Sequence, residues 1–331
     1  MSKLIDPLSF AGLILRNRIA MPPMWSGKAS PEGFVTGAIV EYHRVRAAAG
    51  CGLVIVEHAF VHPQGRHSST QLGVHGDACV DGLTRLASAI RAEGAVACLQ
   101  ISHAGSRTSS KVTGGLRPLG PSALRHPREP HGEVPEAATL GQIAAVASAF
   151  ADAASRAQHA GFEAVELHAA HGFLLSQFLS PLTNHRDDGF GGDEVRRGRA
   201  PLDVLAAVRH LVGASLPVFV RLGAHDEYPG GLQLDAACRM AARLAAAGAA
   251  LIDVSGGLAG SDDPGRGPGY FVPYAAAIKK AVTVPVMVAG GIAVAAHADS
   301  IVTEGHADLV GVGRAMLDDP EWARKAIQAL G

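Results

Sequence analysis

An excess of either charge is missing from this chain: 29 Lys and Arg stand against 30 Asp and Glu, a formal net charge of −1 over 331 residues. That balance excludes the cationic surface of a nucleic-acid binder and gives an anionic membrane nothing to attract. Blocks of like charge are absent as well, and the densest cluster, 186–199, mixes both signs and reads as a solvated, ion-paired loop and helix start. No uncharged apolar stretch reaches the roughly 18 residues of a spanning helix. The opening Met1-Ser2-Lys3-Leu4-Ile5-Asp6-Pro7 lacks the apolar core of a signal peptide. A soluble, cytoplasmic protein is expected. Only four cysteines occur, at 51, 79, 98 and 238, too scattered for a zinc ribbon or an iron–sulfur cluster; Cys98 lies in an apolar run and reads as a buried thiol.

What is present is alternation. Short runs rich in Val, Ile and Leu predict strands at 18–21, 53–57, 96–101, 164–167, 218–222, 251–254, 286–289 and 309–312. Each is apolar on both faces, as buried parallel strands are. Helical patterns lie between them, such as 81–92, 140–160, 234–247 and 274–281. Gly94, Gly161, Gly248 and Gly305 each follow a helix and precede a strand, as left-handed C-caps do. Eight βα units in one chain predict an α/β fold, a (β/α)8 TIM barrel forming a single domain over 1–331. The rival is a doubly wound dinucleotide fold, but no Gly-x-Gly-x-x-Gly follows the early strands and no Walker loop occurs.

In such a barrel the chemistry lies at the C-terminal strand ends. The residues there are Pro23-Met24-Trp25, Glu57-His58, Gln100 with His103, His168 with His171, Arg221, Gly290-Gly291, and Gly311-Val312-Gly313-Arg314. Glycine turns after strands seven and eight expose amides, and Arg314 adds a planar cation suited to phosphate. A phosphorylated ligand anchored there would extend across the mouth, where Gln100 and Arg221 can hydrogen-bond an electron-rich heterocycle. Each residue has a plainer reading beside this one: tight turns for the glycines, an ion pair for Arg221, a satisfied amide for Gln100. His168 and His171 allow three readings, a metal pair, two structural histidines, or two donors converging on one carbonyl oxygen; no third ligand accompanies them at familiar spacing.

The run His168-Ala-Ala-His171-Gly-Phe-Leu-Leu-Ser-Gln-Phe-Leu-Ser-Pro-Leu-Thr-Asn184, continuing to Arg186-Asp-Asp-Gly-Phe-Gly-Gly192, resembles the signature of the old yellow enzyme family. Asn17-Arg18-Ile-Ala-Met-Pro-Pro-Met24, Pro63-Gln-Gly-Arg66, Gln100-Ile-Ser-His-Ala-Gly105, Pro268-Gly-Tyr270 and Gly313-Arg314-Ala-Met-Leu-Asp-Asp-Pro320 match it too, in family order. Within the family the chain is most similar to the single-domain bacterial, thermophilic-like ene-reductases. The resemblance implies a barrel binding FMN noncovalently, reduced by NADH or NADPH, and then reducing the C=C bond of an α,β-unsaturated carbonyl compound by ping-pong hydride transfer. It implies no metal, a small-molecule substrate, and a dimer or tetramer. By position, His168 and His171 would hold the carbonyl oxygen. Pro23, Met24, Gln100 and Arg221 would contact the flavin, and Gly290, Gly291, Gly313 and Arg314 would take its phosphate. Longer relatives carry a cluster-binding cysteine motif and a further domain, which this chain is expected to lack.

Four departures stand out. Trp25 takes a position often held by Cys beside the flavin; it either narrows the pocket or is a core residue. His58 takes the place of a small residue against the flavin. Phe173 replaces the tyrosine commonly proposed to protonate the α-carbon, leaving water, Tyr228, Tyr270 or His58 as candidate donors. The chain stops at Gly331 without the C-terminal arginine that near relatives extend into a neighbouring subunit. Three other readings remain: an FMN barrel acting as a dehydrogenase or demethylase or as a thioester reductase, a flavin-binding redox module with little turnover, and a metal-dependent hydrolase.

Overall fold

Eight parallel strands close on themselves, and each of them answers to one of the predicted apolar runs. The computed structural model describes residues 2–261 and 267–331. In chain order the strands are β1 (Leu8–Phe10), β2 (Leu13–Leu15), β3 (Ile19–Met21), β4 (Leu53–Phe60), β5 (Val96–Ser102), β6 (Leu119–Gly120), β7 (Glu136–Ala137), β8 (Ala164–Ala169), β9 (Val218–Gly223), β10 (Leu251–Ser255), β11 (Val286–Ala289) and β12 (Leu309–Gly311). Around the barrel the order is β3-β4-β5-β8-β9-β10-β11-β12, and β12 pairs back to β3. The main helices between them are α1 (Gly37–Ala48), α2 (Val80–Ala92), α3 (Leu140–His159), α4 (Leu174–Leu179), α5 (Glu194–Arg197), α6 (Arg199–Val212), α7 (Leu234–Ala246), α8 (Val272–Ala281), α9 (Ala295–Thr303), α10 (Arg314–Asp318) and α11 (Trp322–Leu330). Among the described residues no helix is long and apolar enough to cross a membrane.

Five strands run further than the apolar pattern indicates, β5, β9 and β10 by one residue and two by more. β4 continues to Phe60 because its end pairs with β5 after a break in register between Val56 and Ala59. That bulge falls on Glu57 and His58 and re-aims them, as bulges beside active sites do. β8 continues to Ala169, which places His168 on the strand itself. The four glycines predicted as helix ends all take positive φ, between +77° and +96°. The cluster 186–199 is ion-paired as expected, with Arg186 on Asp188 at 2.5 Å and Arg196 on Asp193 at 2.9 Å.

The outward faces of the strands meet apolar stripes on the helices. On α2 the buried residues are Leu83, Leu86, Ala87 and Ile90, the spacing of one helical face. The inward faces build a second, separate core of Ala20, Leu53, Ile55, Val96, Cys98, Ala164, Phe219, Leu251, Met287 and Leu309. The β1–β2 hairpin closes this core from the N-terminal end, adding Leu13 and fully buried Leu15 with Leu8 and Phe10 packed behind. One step toward the C-terminal ends, the same alternation puts Glu57, Gln100, Glu166, Arg221 and Asp253 at buried positions. The barrel is thus dry below and polar above.

Leu15 seals the lower core, so its truncation is expected to leave a cavity. Leu15→Ala should lower stability by about 3 kcal/mol, read as a shift of the urea midpoint. An unchanged midpoint would mean that the hairpin adds nothing to the barrel.

Candidate active site

The polar layer is built around one guanidinium. Arg221 on β9 pairs with Asp253 on β10 at 3.1 Å, with both side chains buried, and the register sets His168 of β8 directly beside it. Gln100 donates its side-chain N–H to Glu166 Oε1 at 2.8 Å. Burial and the neighbouring Asp253 hold the Glu166 carboxyl well above the usual carboxylate range, against the pull of Arg221 and Gln100. Burial also raises Asp253, with Arg221 opposing. On β4 the carboxyl of Glu57 accepts from the Ser26 amide at 2.9 Å, and burial pushes it up to about 7. Among the described residues of this layer, Glu57, Glu166 and Asp253 therefore lie near one buried cation, Arg221.

His168 and His171 face each other edge-on with ring centroids 5.0 Å apart. His171 follows the strand end in a left-handed conformation, φ +56°, which a non-glycine residue adopts only where its surroundings enforce it. Its amide donates to the Gly256 carbonyl at 3.0 Å, and its own carbonyl accepts from Arg107 at 2.9 Å. Ser255, at the end of β10, lies 2.6 Å from His171 Nε2 and 3.4 Å from an Arg221 N–H. A guanidinium can only donate. The Ser255 oxygen accepts from Arg221 and is also hydrogen-bonded to His171 Nε2. Burial holds both imidazoles well below the usual histidine range, helped at His168 by His171, His58, Arg221 and Arg107 and at His171 by Arg221, Arg107, His58 and Arg128. Both rings are neutral at physiological pH. Among the described residues no group of three His, Cys, Asp or Glu forms a metal-holding cluster.

A cavity of about 330 Å³ opens beside Arg221 and Ser255, the residues that adjoin this pair. Arg221 and Ser255 line one part; Ala289, Gly290, Gly291, Gly313, Arg314 and Tyr270 line another, with Pro22 and Met24 on the wall. Gly290 and Gly291 take φ +129° and +66°, and a Cβ on either would stand 2.8–2.9 Å from the Tyr270 ring, so the turn is open to glycine alone. Among the described residues the amides of Gly290, Gly291 and Gly313 make no hydrogen bond, which leaves a set of donors with Arg314 beside them. Arg314 also donates to the Tyr270 hydroxyl at 2.9 Å, and that hydroxyl donates to the Ser261 carbonyl at 2.7 Å. Unpaired amides plus a guanidinium suit a phosphate, and the volume falls at the small end of cofactor pockets.

The other predicted residues take distinct places. Pro23 is buried next to Pro22, which lines the wall. Gln100 is buried one layer below the mouth. Trp25 is not a core residue: it is 51% exposed and lies along Gly27 and Thr70, because the chain after β3 turns out to solvent. Tyr270 belongs to the glycine-turn end of the cavity. Tyr228 is half-buried and close enough to Arg107 to act on its charge. Phe173 is buried at the centre of a ring cluster, 4.4 Å from His168, 5.2 Å from His58 and 5.3 Å from His67, with the Arg107 guanidinium 5.7 Å away. Sequence reasoning missed Ser255, His67 and Arg107. Ser255 ends an apolar run by the rule that selected the others; His67 and Arg107 return to the mouth on loops, which no periodicity records.

A family model described as the NADH:flavin oxidoreductase / NADH oxidase family matches residues 3–330. The chain is 39% identical over 320 residues to an NADH oxidase of Thermoanaerobacter brockii; the match covers 95% of this chain but 49% of that protein, so the chain spans about half its length. It is 36% identical over 332 residues to an NADPH dehydrogenase of Geobacillus sp. (strain WCH70), covering 99% of this chain and 94% of that protein. Among solved structures, it resembles an old yellow enzyme homologue from Zymomonas mobilis at a TM-score of 0.83 and 27% identity, covering 99% of this chain and 93% of that one.

Glu57 supplies a test of the buried layer. Its folded-state pKa of about 7 lies above the ordinary 4.5, so the stability linked to its proton is full below pH 4.5 and is lost as pH rises through 7. Urea unfolding of the wild type should show a loss of about 2 to 3 kcal/mol from this group between pH 5 and 8. Glu57→Gln should remove that part of the slope; parallel profiles for the two proteins would show that Glu57 is ionised throughout.

Proposed function

The chain belongs to the NADH:flavin oxidoreductase / NADH oxidase family, an old yellow enzyme barrel and an FMN-linked oxidoreductase drawing on NAD(P)H, and from that premise we propose that it reduces the C=C bond of α,β-unsaturated carbonyl compounds in a ping-pong cycle. The observation that carries the reading is the pair of neutral imidazoles joined through Ser255 and Arg221 to a cavity that ends in unpaired amides and a guanidinium. The donor set fits FMN. Gly290, Gly291, Gly313 and Arg314 would hold the phosphate; Met24 and Arg221 on the wall, with Gln100 beneath, would meet the ring system. Bound there, FMN supplies two-electron chemistry, taking a hydride from NAD(P)H and giving it to the substrate β-carbon.

The protein's own part is placement and polarisation. With the Ser255 hydroxyl donating to its Nε2, His171 would offer an Nδ1–H to the substrate. His168 contributes a second ring from the same strand, β8. Two neutral donors aimed at one carbonyl oxygen stabilise the charge that grows there as the β-carbon is reduced, in a buried site where such bonds are strongest. Because both rings stay neutral well below the usual histidine range, carbonyl binding should not change with pH between 6 and 9. The nicotinamide and the enone use the same mouth in turn.

The purified protein should be yellow and release FMN on heating. Mixed anaerobically with NADPH and then with 2-cyclohexen-1-one, it should show flavin bleaching followed by reoxidation. His171→Ala should slow the second phase by about 10²–10³-fold. Reoxidation by the enone at the buffer-only rate would sink the ene-reductase reading while leaving the family assignment intact.

A further inference from the structure

Among the imidazoles around Phe173, His58 and His67 differ in where the proton sits. The Gln71 side-chain N–H donates to His58 Nδ1 at 2.7 Å and to the His58 carbonyl at 3.0 Å, while Gln71 Oε1 accepts from the His67 amide at 2.6 Å. That network fixes the amide and leaves the His58 proton on Nε2. Burial, with the nearby His67, Arg107 and Arg221 charges, pushes His58 down to about 3. A second proton on His58 would collide with the Gln71 donor. His58 is therefore a neutral hydrogen-bond donor and a poor acid.

His67 is arranged the other way. Its Nδ1 lies 2.6 Å from the Arg107 carbonyl, an acceptor, so Nδ1 carries hydrogen. Its Nε2 makes no hydrogen bond among the described residues, and the side chain is half-buried rather than sealed. A proton added at Nε2 breaks no existing bond. The ring lies 5.3 Å from that of Phe173, whose position carries a tyrosine acid in the relatives the sequence resembles. Resting on the ene-reductase reading above, we propose that His67 is the catalytic acid that protonates the substrate α-carbon in place of the missing tyrosine.

The balance is simple. The β-carbon receives hydrogen with two electrons from the NAD(P)H-reduced cofactor. The displaced π pair of the C=C bond, held as the enolate by the carbonyl donors, forms the α-carbon–hydrogen bond as the His67 Nε2–H bond breaks. The N–H pair stays on the ring, which returns to neutral imidazole and is reprotonated from water. The groups facing His67 are Arg107 and Glu129, paired with each other at 3.3 Å, and His58, whose ring centroid is 6.1 Å away. Burial lowers His67 below the ordinary histidine value, the Arg107 carbonyl and Glu129 raise it, and the Arg107 charge lowers it. Neutral in the resting enzyme, it becomes a strong acid once protonated, and an adjacent enolate favours the proton's arrival.

The test uses the FMN-loaded full chain, reduced with NADPH and reoxidised by 2-methyl-2-cyclohexen-1-one. The wild-type rate should fall as pH rises above 6. His67→Phe should slow reoxidation about 10²-fold, abolish that pH dependence, and lower the enantiomeric purity at the α-carbon. His67→Asn, which keeps a donor for the Arg107 carbonyl, should behave alike and guards against misfolding. In the His67→Phe background, Phe173→Tyr should restore rate and stereochemistry. Variants that match the wild type in rate, pH profile and stereochemistry would overturn this inference alone; a wild type that the enone does not reoxidise would overturn the ene-reductase reading and this inference with it.

Discussion

Arg221 points into the barrel from β9 with Asp253 on the next strand 3.1 Å away, Ser255 within reach and His168 opposite it on the other side. Removing this cation would leave Glu166 and Asp253 as buried acids with no counter-charge. It would also release Ser255, the hydrogen-bond partner of His171 Nε2. A buried ion pair is a poor source of stability, since the loss of hydration offsets most of the attraction. Here it is better understood as orientation. The guanidinium converts a set of polar side chains that could each settle several ways into one arrangement.

The mouth of the barrel is asymmetric, and the asymmetry follows from side-chain size. On β11 and β12 the inward positions near the top are Ala289 and Gly311, which fill little space. The cavity opens there, against Pro22, Met24 and the glycine turns. On β4, β5, β8, β9 and β10 the same level carries Glu57, Gln100, Glu166, Arg221 and Asp253. One half of the ring makes room and the other half supplies charge. The β4 bulge then tips His58 toward Phe173, so that imidazoles from three segments, His58, His67 and His168, surround one benzyl group.

The barrel strands were legible because a parallel strand buried on both faces writes itself as an unbroken apolar run. Their inward acids were visible only as interruptions: Glu57 and Glu166 end or break such runs, and nothing local distinguishes a protonated interior carboxyl from a surface one. The β1–β2 hairpin escaped notice because three-residue strands have too little pattern to separate from a loop. The His pair, Arg221, the glycine turns and Arg314 could be placed by a single rule, that polar residues ending barrel strands face the mouth. The rule fails for residues delivered by loops. His67 lies seven residues beyond the end of β4 and returns only because Gln71 and the Arg107 carbonyl tie it back. Tyr270 was associated with proton donation, yet its hydroxyl is engaged at the phosphate end by Arg314 and Ser261, a pairing set by the tertiary fold.

The segment after β6 lays His126 against Gly172, where an added Cβ would lie 2.1 Å from the imidazole Nε2; Gly172 itself takes φ +70°. Two residues far apart in the chain thus compete for one volume directly behind His171. Among descendants of this sequence, a side chain at 172 becomes tolerable only after 126 has shrunk and the turn has been rebuilt. Position 172 should accordingly change late and never by itself, its history readable in the covering segment rather than in the histidine signature that contains it.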